Sequence, residues 1–357
     1  MDDRDTLVMT PGPTALPPDV REAMAQPIEN PDVEPEFTSF YRDLLDKLAA
    51  VSGSENDALV IGGEGMLGLE AGVASLVDEG ETVLCLSNGL YGTGFADLVS
   101  LAGGHPVLLE APDDEPLDAS EVERAVEEHD PVLATTVHCE TPTGLLNDLD
   151  PVLAVLHDAG VLTLVDAVSS LAGAPVPEAD VLLGGSQKCL SSPPGLSTLS
   201  VSDAAWEKVE ETDQRSFYAS LEPWRDLGDG PVARFPYTHL VSNLYALDAS
   251  LDLVLDEGRE TVFERHERGA AHCRERGAEI GLEPYPPDGL RSPTVTAFAV
   301  EDAERIQRDV AEEGVVLATG LGEHTDDIVR VGHMGYNAEV ETVDRTMDAL
   351  SAVLVGS

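Results

Sequence analysis

The chain has 357 residues, 42% of them hydrophobic, enough for a sizeable core and for more than one domain. Its 68 Asp and Glu against 20 Lys and Arg give a formal net charge of −48, which argues against partnership with nucleic acid or an anionic membrane. The acid is spread along the whole length, so it is no interaction tail, and no apolar run approaches the roughly 18–20 residues that span a bilayer.

From about residue 55 to 200, short apolar runs alternate with helical patterns. Ala58-Leu59-Val60-Ile61 predicts a strand, followed by the glycine turn Gly62-Gly63-Glu64-Gly65 and a helix with Met66, Leu69, Val73 and Leu76 on one face. Thr82–Leu86 and Val107–Leu109 predict the next two strands. Asp118 with Glu121 three residues on predicts a capping box opening a helix. After a strand over 132–137, Asp150-Pro151 predicts an N-cap and first helical residue, and Gly160 the helix end. Val161–Asp166 is almost wholly apolar, as expected of a strand covered on both faces. The alternation predicts an α/β fold with a mostly parallel sheet flanked by helices.

A long helical pattern runs from about Ser242 to Glu279. Beyond it, short strands at 294–300, 315–317 and 328–331 alternate with helices, and Asn337 followed by Glu339 and Glu341 predicts the start of a terminal helix. A boundary near 257 divides the chain into 1–257, an N-terminal arm and large domain, and 258–357, a smaller C-terminal α+β domain.

The stretch with most chemistry is Gly185-Ser186-Gln187-Lys188-Cys189-Leu190-Ser191-Ser192-Pro193-Pro194-Gly195. Lys188 is one of three lysines in the chain, with Lys47 and Lys208, and follows the apolar run Val181-Leu182-Leu183. A lysine at a strand end is placed to form a Schiff base with an aldehyde cofactor such as pyridoxal 5′-phosphate (PLP), or to be a surface lysine on a loop. Other candidates fall at predicted strand ends, where open α/β sheets bind ligands. The turn 62–66 suits a phosphate at a helix N-terminus, through the amide of Glu64 and not its carboxylate. Asp166 calls for a cationic partner, which a protonated pyridine nitrogen supplies, or caps the turn after it. Tyr91, between glycines, can lie against a ring or in the core. Thr141, in His138-Cys139-Glu140-Thr141-Pro142-Thr143-Gly144, offers a hydroxyl to a cofactor or to its own turn. The cysteines Cys85, Cys139, Cys189 and Cys273 show no C-x-x-C spacing, which argues against a disulfide framework and a metal site.

In these segments, above all Val165-Asp166-Ala167-Val168-Ser169-Ser170 and the Lys188 loop, the chain resembles the class V, fold type I, PLP-dependent aminotransferases of the alanine–glyoxylate and serine–pyruvate branch. The likeness extends from Pro11-Gly12-Pro13-Thr14 to Arg330-Val331-Gly332. It implies a large PLP-binding domain and a homodimer with the active site at the interface. Carried over by position, Lys188 is the Schiff-base lysine and proton shuttle, and Asp166 pairs with the pyridine nitrogen. Val168 and Tyr91 sandwich the ring, and Thr141 bonds near its hydroxyl. Gly65, Met66 and Gln187 hold the phosphate, Thr238 reaches the partner's phosphate, and Arg330 clamps the substrate carboxylate.

The chain departs from that branch at Phe235, where the branch has a phosphate-binding tyrosine, and at Met66, where it has histidine; Tyr237 is a candidate replacement hydroxyl. The segment Pro27-Ile28-Glu29-Asn30-Pro31 also lacks the branch's His-Arg pair. The implied reaction is ping-pong transamination of a small amino acid, of the alanine or serine class, with glyoxylate or another 2-oxo acid. A cysteine desulfurase or lyase on the same scaffold is the alternative, although Cys273 lies in a helical pattern that suits no mobile nucleophile. A colourless acidic cation binder leaves the Lys188 loop unexplained.

Met1–Asp5 lacks the basic and apolar regions of a signal peptide, which predicts a cytoplasmic protein. The charge predicts a high-salt cytoplasm, because the Debye length is about 3 Å at 1 M salt and about 30 Å at 0.01 M. The fold is therefore expected to lose structure when salt is removed. Circular dichroism retained after dialysis into dilute buffer would count against this.

Overall fold

A computed structural model describes residues 6–227, 230 and 232–355. Seven strands form the central sheet: β1 (Asp57–Gly62), β2 (Thr82–Ser87), β3 (His105–Glu110), β4 (Leu133–Val137), β5 (Leu162–Asp166), β6 (Val181–Gly185) and β7 (Leu196–Val201). Their order across the sheet is β1-β7-β6-β5-β4-β2-β3. All run parallel except β7, which is antiparallel to both neighbours. Strands β4, β6 and β7 are buried along their whole length, which explains their near-continuous apolar and small residues.

Helices α1 (Gly65–Leu76), α2 (Leu90–Ala102), α3 (Ala119–His129) and α4 (Asp150–Asp158) follow the strands in turn. Helix α1 lies close on the sheet because its inner face is stripped to glycine. A Cβ at Gly68 would stand 2.7 Å from a Leu183 methyl, and one at Gly72 2.5 Å from a Leu164 methyl. Alanine at either position forces overpacking, which typically costs about 1–3 kcal/mol. This approach carries the N-terminus of α1 to the carboxyl end of the sheet.

Further along lie α5 (Val241–Glu257), α6 (Arg259–Glu279), α7 (Ala303–Glu312) and α8 (Val340–Val355). A second sheet, antiparallel in the order β8-β9-β11-β10, is built from β8 (Glu283–Pro284), β9 (Thr296–Ala299), β10 (Ala318–Thr319) and β11 (Ile328–Val331). Two hydrophobic clusters result. One surrounds the central sheet, and the other joins Cys273, Phe298, Ile306, Val331 and Leu350 with Met9 from the N-terminal arm. That arm is anchored by parallel pairing of Leu7–Val8 with Val315–Val316. Among the described residues no helix is long and apolar enough to cross a membrane.

Several expected boundaries shift for local reasons. The 242–279 pattern is two helices, because Gly258 adopts φ +88° and breaks the run between α5 and α6. Asp118 does cap α3, accepting the Ser120 amide at 2.8 Å, but Glu121 turns outward to Arg124 at 3.1 Å in place of reaching back. Asp150 is the first residue of α4, with Leu149 as its N-cap, so its carboxylate faces the positive end of the helix dipole from within the first turn. Asn337 caps nothing: it closes a short 3₁₀ turn and its amide donates to the Val8 carbonyl, so α8 begins three residues later, at Val340.

Candidate active site

The carboxyl ends of β1, β2, β4, β5 and β6 open onto a cavity of about 270 Å³. Nine of the residues expected at a site line it: Glu64, Gly65, Met66, Tyr91, Thr141, Asp166, Val168, Gln187 and Lys188. Lys188 sits at a rigid turn after β6. Its carbonyl accepts from the Ser191 amide at 2.9 Å and from the Thr14 hydroxyl at 3.1 Å. Its Nζ donates to the Pro11 carbonyl at 2.6 Å. Burial, with Arg330 in a smaller part, lowers the ammonium to about 8 against the opposing pull of Cys139, Asp166 and Cys189. An amine in that range is free in part at neutral pH and able to attack or to accept a proton.

Asp166, at the end of β5, is buried, and burial pushes its carboxyl up to about 6, opposed by the Val168 amide on Oδ1 at 2.8 Å and by Lys188. Among the described residues no lysine or arginine forms an ion pair with it. A buried carboxylate in this state favours a ligand that brings positive charge. Val168 packs against the first turn of α1, where a Cβ on Gly65 would fall 3.0 Å from Cγ2 of Val168. Thr141 and Ser169 share a short hydroxyl–hydroxyl hydrogen bond.

The N-terminus of α1, with Glu64, Gly65 and Met66, forms one wall of the cavity. Gly63, at φ +147°, donates to the Gly195 carbonyl at 2.8 Å and holds the turn in place. Gln187 is buried there with its side-chain oxygen unpartnered. The Met66 amide, however, is engaged: the carboxylate of Glu64 accepts it at 3.1 Å, as an N-cap. Glu64 is exposed, so this contact can open to solvent.

Arg330 does not line the cavity. It lies on β11, buried, with Nε donating to the Thr319 carbonyl at 2.6 Å and Nη1 to the Thr141 carbonyl at 3.2 Å. Burial lowers its guanidinium to about 10, and Tyr91 is the compensating neighbour. No carboxylate forms an ion pair with it among the described residues. A desolvated cation fixed by two carbonyls is poised for an anionic partner.

Thr238 is exposed and outside this chain's cavity. Phe235 is buried among Phe37, Tyr41, Trp224 and His239. The Tyr237 hydroxyl accepts from the Gly62 amide at 3.3 Å, and its ring stacks on Tyr218 at 4.2 Å. It therefore braces the glycine turn from behind.

Three contributions were not anticipated. Pro11, Gly12 and Pro13 come from the N-terminal arm; a Cβ on Gly12 would lie 2.5 Å from Cδ of Lys188, so glycine at φ +95° makes room for the lysine stem. Cys139 and Ser169 line the floor. Glu140 is wholly buried behind Tyr91, where burial drives its carboxyl up to about 7 against the Gly92 and Tyr91 amides. Its signal in the sequence is a carboxylate in a loop that, after His138, is otherwise made of small, proline and hydroxyl side chains.

Residues 67–345 match the family model described as Aminotransferase class-V. The pyridoxamine–pyruvate transaminase of Mesorhizobium japonicum is 34% identical over 347 residues, covering 93% of this chain and 87% of that one. The alanine–glyoxylate aminotransferase of Oryctolagus cuniculus is 33% identical over 365 residues, covering 98% and 92%. Among solved structures, an alanine–glyoxylate aminotransferase from Nostoc sp. superposes with a TM-score of 0.94 at 29% identity, covering 99% of this chain and 96% of that one.

Proposed function

Since the chain belongs to the class-V aminotransferase family and is a PLP-dependent transaminase of fold type I, we propose that it moves an amino group between a small amino acid and glyoxylate or pyruvate, with Lys188 as its central residue. The carrying observation is one cavity lined by both Lys188 and the buried Asp166, with the buried Arg330 beside it and neither Asp166 nor Arg330 in an ion pair among the described residues. PLP supplies an aldehyde and an electron-withdrawing ring. The residues fit that ring: Asp166 awaits a cation, Val168 and Tyr91 offer apolar faces, Thr141 offers a hydroxyl, and the buried Gln187 amide can turn its N–H donors to a phosphate.

Lys188 Nζ would be the attachment point and, once released, the base that takes the proton from the substrate Cα and delivers it to the carbon that bore the cofactor's aldehyde. Asp166 would stay ionised against the ring nitrogen, and Arg330 would hold the substrate carboxylate through paired N–H groups. Gly65, Met66 and Gln187 would form the phosphate cup once Glu64 swings off the Met66 amide. The division near residue 257 then places Lys188 and Asp166 on the large domain and Arg330 on the small one.

A homodimer completes this reading. Met66, Leu90, Phe217, Tyr218 and Leu240 are exposed apolar side chains, a surface suited to a second copy, and Thr238 is left free to reach the partner's cup. The charge of −48 supports a high-salt cytoplasm as its setting.

The test is a visible absorption spectrum in high salt with PLP, before and after L-alanine, L-serine and L-cysteine. Bleaching by an amino acid and return of the band with glyoxylate or pyruvate supports transamination. Sulfide release from cysteine points to the desulfurase chemistry instead, and the absence of any band overturns the assignment of Lys188.

One observation favours a second amino donor, pyridoxamine itself, as the name of the 34%-identical relative suggests. The Glu64 carboxylate occupies the Met66 amide and repels a phosphate by about 1–4 kcal/mol at contact distance. Glu64→Ala is then expected to tighten PLP about tenfold while leaving pyridoxal unchanged. Equal affinity of both forms in both proteins removes Glu64 from substrate choice.

A further inference from the structure

Helix α2 begins without a cap of its own. Its N-cap residue is Gly89, which has no side chain to turn back onto the first amides. Glu140, 49 residues beyond Tyr91, takes that place. Its Oε1 accepts from the Gly92 amide at 2.7 Å and its Oε2 from the Tyr91 amide at 3.3 Å. The fit is close: a Cβ on Gly89 would stand 2.4 Å from the carboxyl carbon of Glu140. Glycine at 89 is therefore required by space, since its φ of 176° is extended backbone open to any residue.

The neighbouring residue extends the connection. Thr141 bonds Ser169 through its hydroxyl and accepts Arg330 Nη1 at 3.2 Å through its carbonyl. Two consecutive residues thus tie the start of α2, the floor of the cavity and the arginine together. A cap on residue 89 itself would brace the helix alone. A cap from this loop fixes the helix relative to the cavity.

We propose that Glu140 is a positioning residue that sets the height and tilt of the Tyr91 ring over the cofactor by holding the first turn of α2. This rests on the assignment of Tyr91 as the ring-stacking side chain of a PLP site. Glu140 touches neither substrate nor cofactor. It acts through the two amides that carry Tyr91 and Gly92.

The test measures PLP affinity of the apoprotein by absorbance titration and the visible circular dichroism of the bound cofactor. Glu140→Gln, which leaves one acceptor for two amides, is expected to weaken PLP binding about tenfold, within the range of a lost helix cap, and to reduce the dichroic band. In a Tyr91→Ala background the same substitution is expected to change affinity less than about twofold, because coupled residues are non-additive. Gly89→Ala displaces the carboxylate while keeping its charge, and should reproduce both the loss and the non-additivity even if Glu140→Gln fails to fold. Equal losses with and without the Tyr91 ring overturn the proposal and leave the transaminase reading intact. An unmodified protein that binds no PLP overturns both.

Discussion

Lys188→Ala is expected to lose turnover by about 10⁴-fold, the upper range for removing a positioned acid–base group. The visible band of a covalently held cofactor should vanish with it, while PLP still binds by its other contacts. Added small amines should restore part of the rate. Substantial activity without them places the chemistry on another group. The structure adds a readout that needs no cofactor. Burial lowers Lys188 to about 8 from the ordinary 10.5, so between those values the unfolded chain holds a proton that the folded chain does not. Stability of the apoprotein therefore rises with pH across that window. Lys188→Met removes the effect: its stability relative to the parent should be greatest below pH 8 and decline towards pH 10.5. A difference that stays flat with pH shows that Nζ keeps its ordinary affinity for protons and is a poor base.

Much of this centre was legible in the sequence because parallel strands place their ligands at carboxyl ends. Asp166 and the Lys188 loop close nearly pure apolar runs, and the glycine turn opens a helix. All three signals are local. What escaped was non-local or depended on direction. Pro11 reaches Lys188 across 177 positions, and only the close contact at Gly12 explains why that arm needs a glycine. Glu140 looked like one more acid in a chain of 68 Asp and Glu, and it is set apart by burial that composition cannot register. Gly258 was read through because its neighbours keep a helical pattern on both sides; a positive φ leaves no mark on periodicity. Asn337 carries the chemistry of a cap and spends it on Val8, a choice made by tertiary contact. Thr238 keeps its assigned role only with a second chain, because its own cavity lies out of its reach.

The second large effect is expected at Arg330. Truncating one partner of a buried, hydrogen-bonded charge pair costs about 2–5 kcal/mol, or roughly 30- to 5,000-fold in kcat/KM. Arg330→Ala should show that loss for the amino acid and for the 2-oxo acid alike, since the proposed clamp would serve the carboxylate of both. Arg330→Lys keeps the charge but gives up the fork, and should recover little. A structural explanation must be separated from a clamp, because Arg330 also satisfies the Thr319 and Thr141 carbonyls. An amine substrate without a carboxylate makes the distinction. If Arg330 grips the carboxylate, its loss leaves the half-reaction of such an amine within about threefold of the parent, well below the cost of a lost charge pair. If the residue only braces the fold, both substrates suffer equally. The burial of this arginine also suits a chain carrying a net charge of −48. At about 1 M salt, screening within 3 Å erases the long-range repulsion of an anionic substrate by that charge, together with any pull from exposed cations. A guanidinium fixed in a desolvated pocket keeps its attraction where surface charges lose theirs. Raising salt from the lowest concentration that preserves the fold should therefore leave the KM for alanine and glyoxylate nearly constant. A steep rise of KM with salt shows that the carboxylate is held by an exposed cation and not by Arg330.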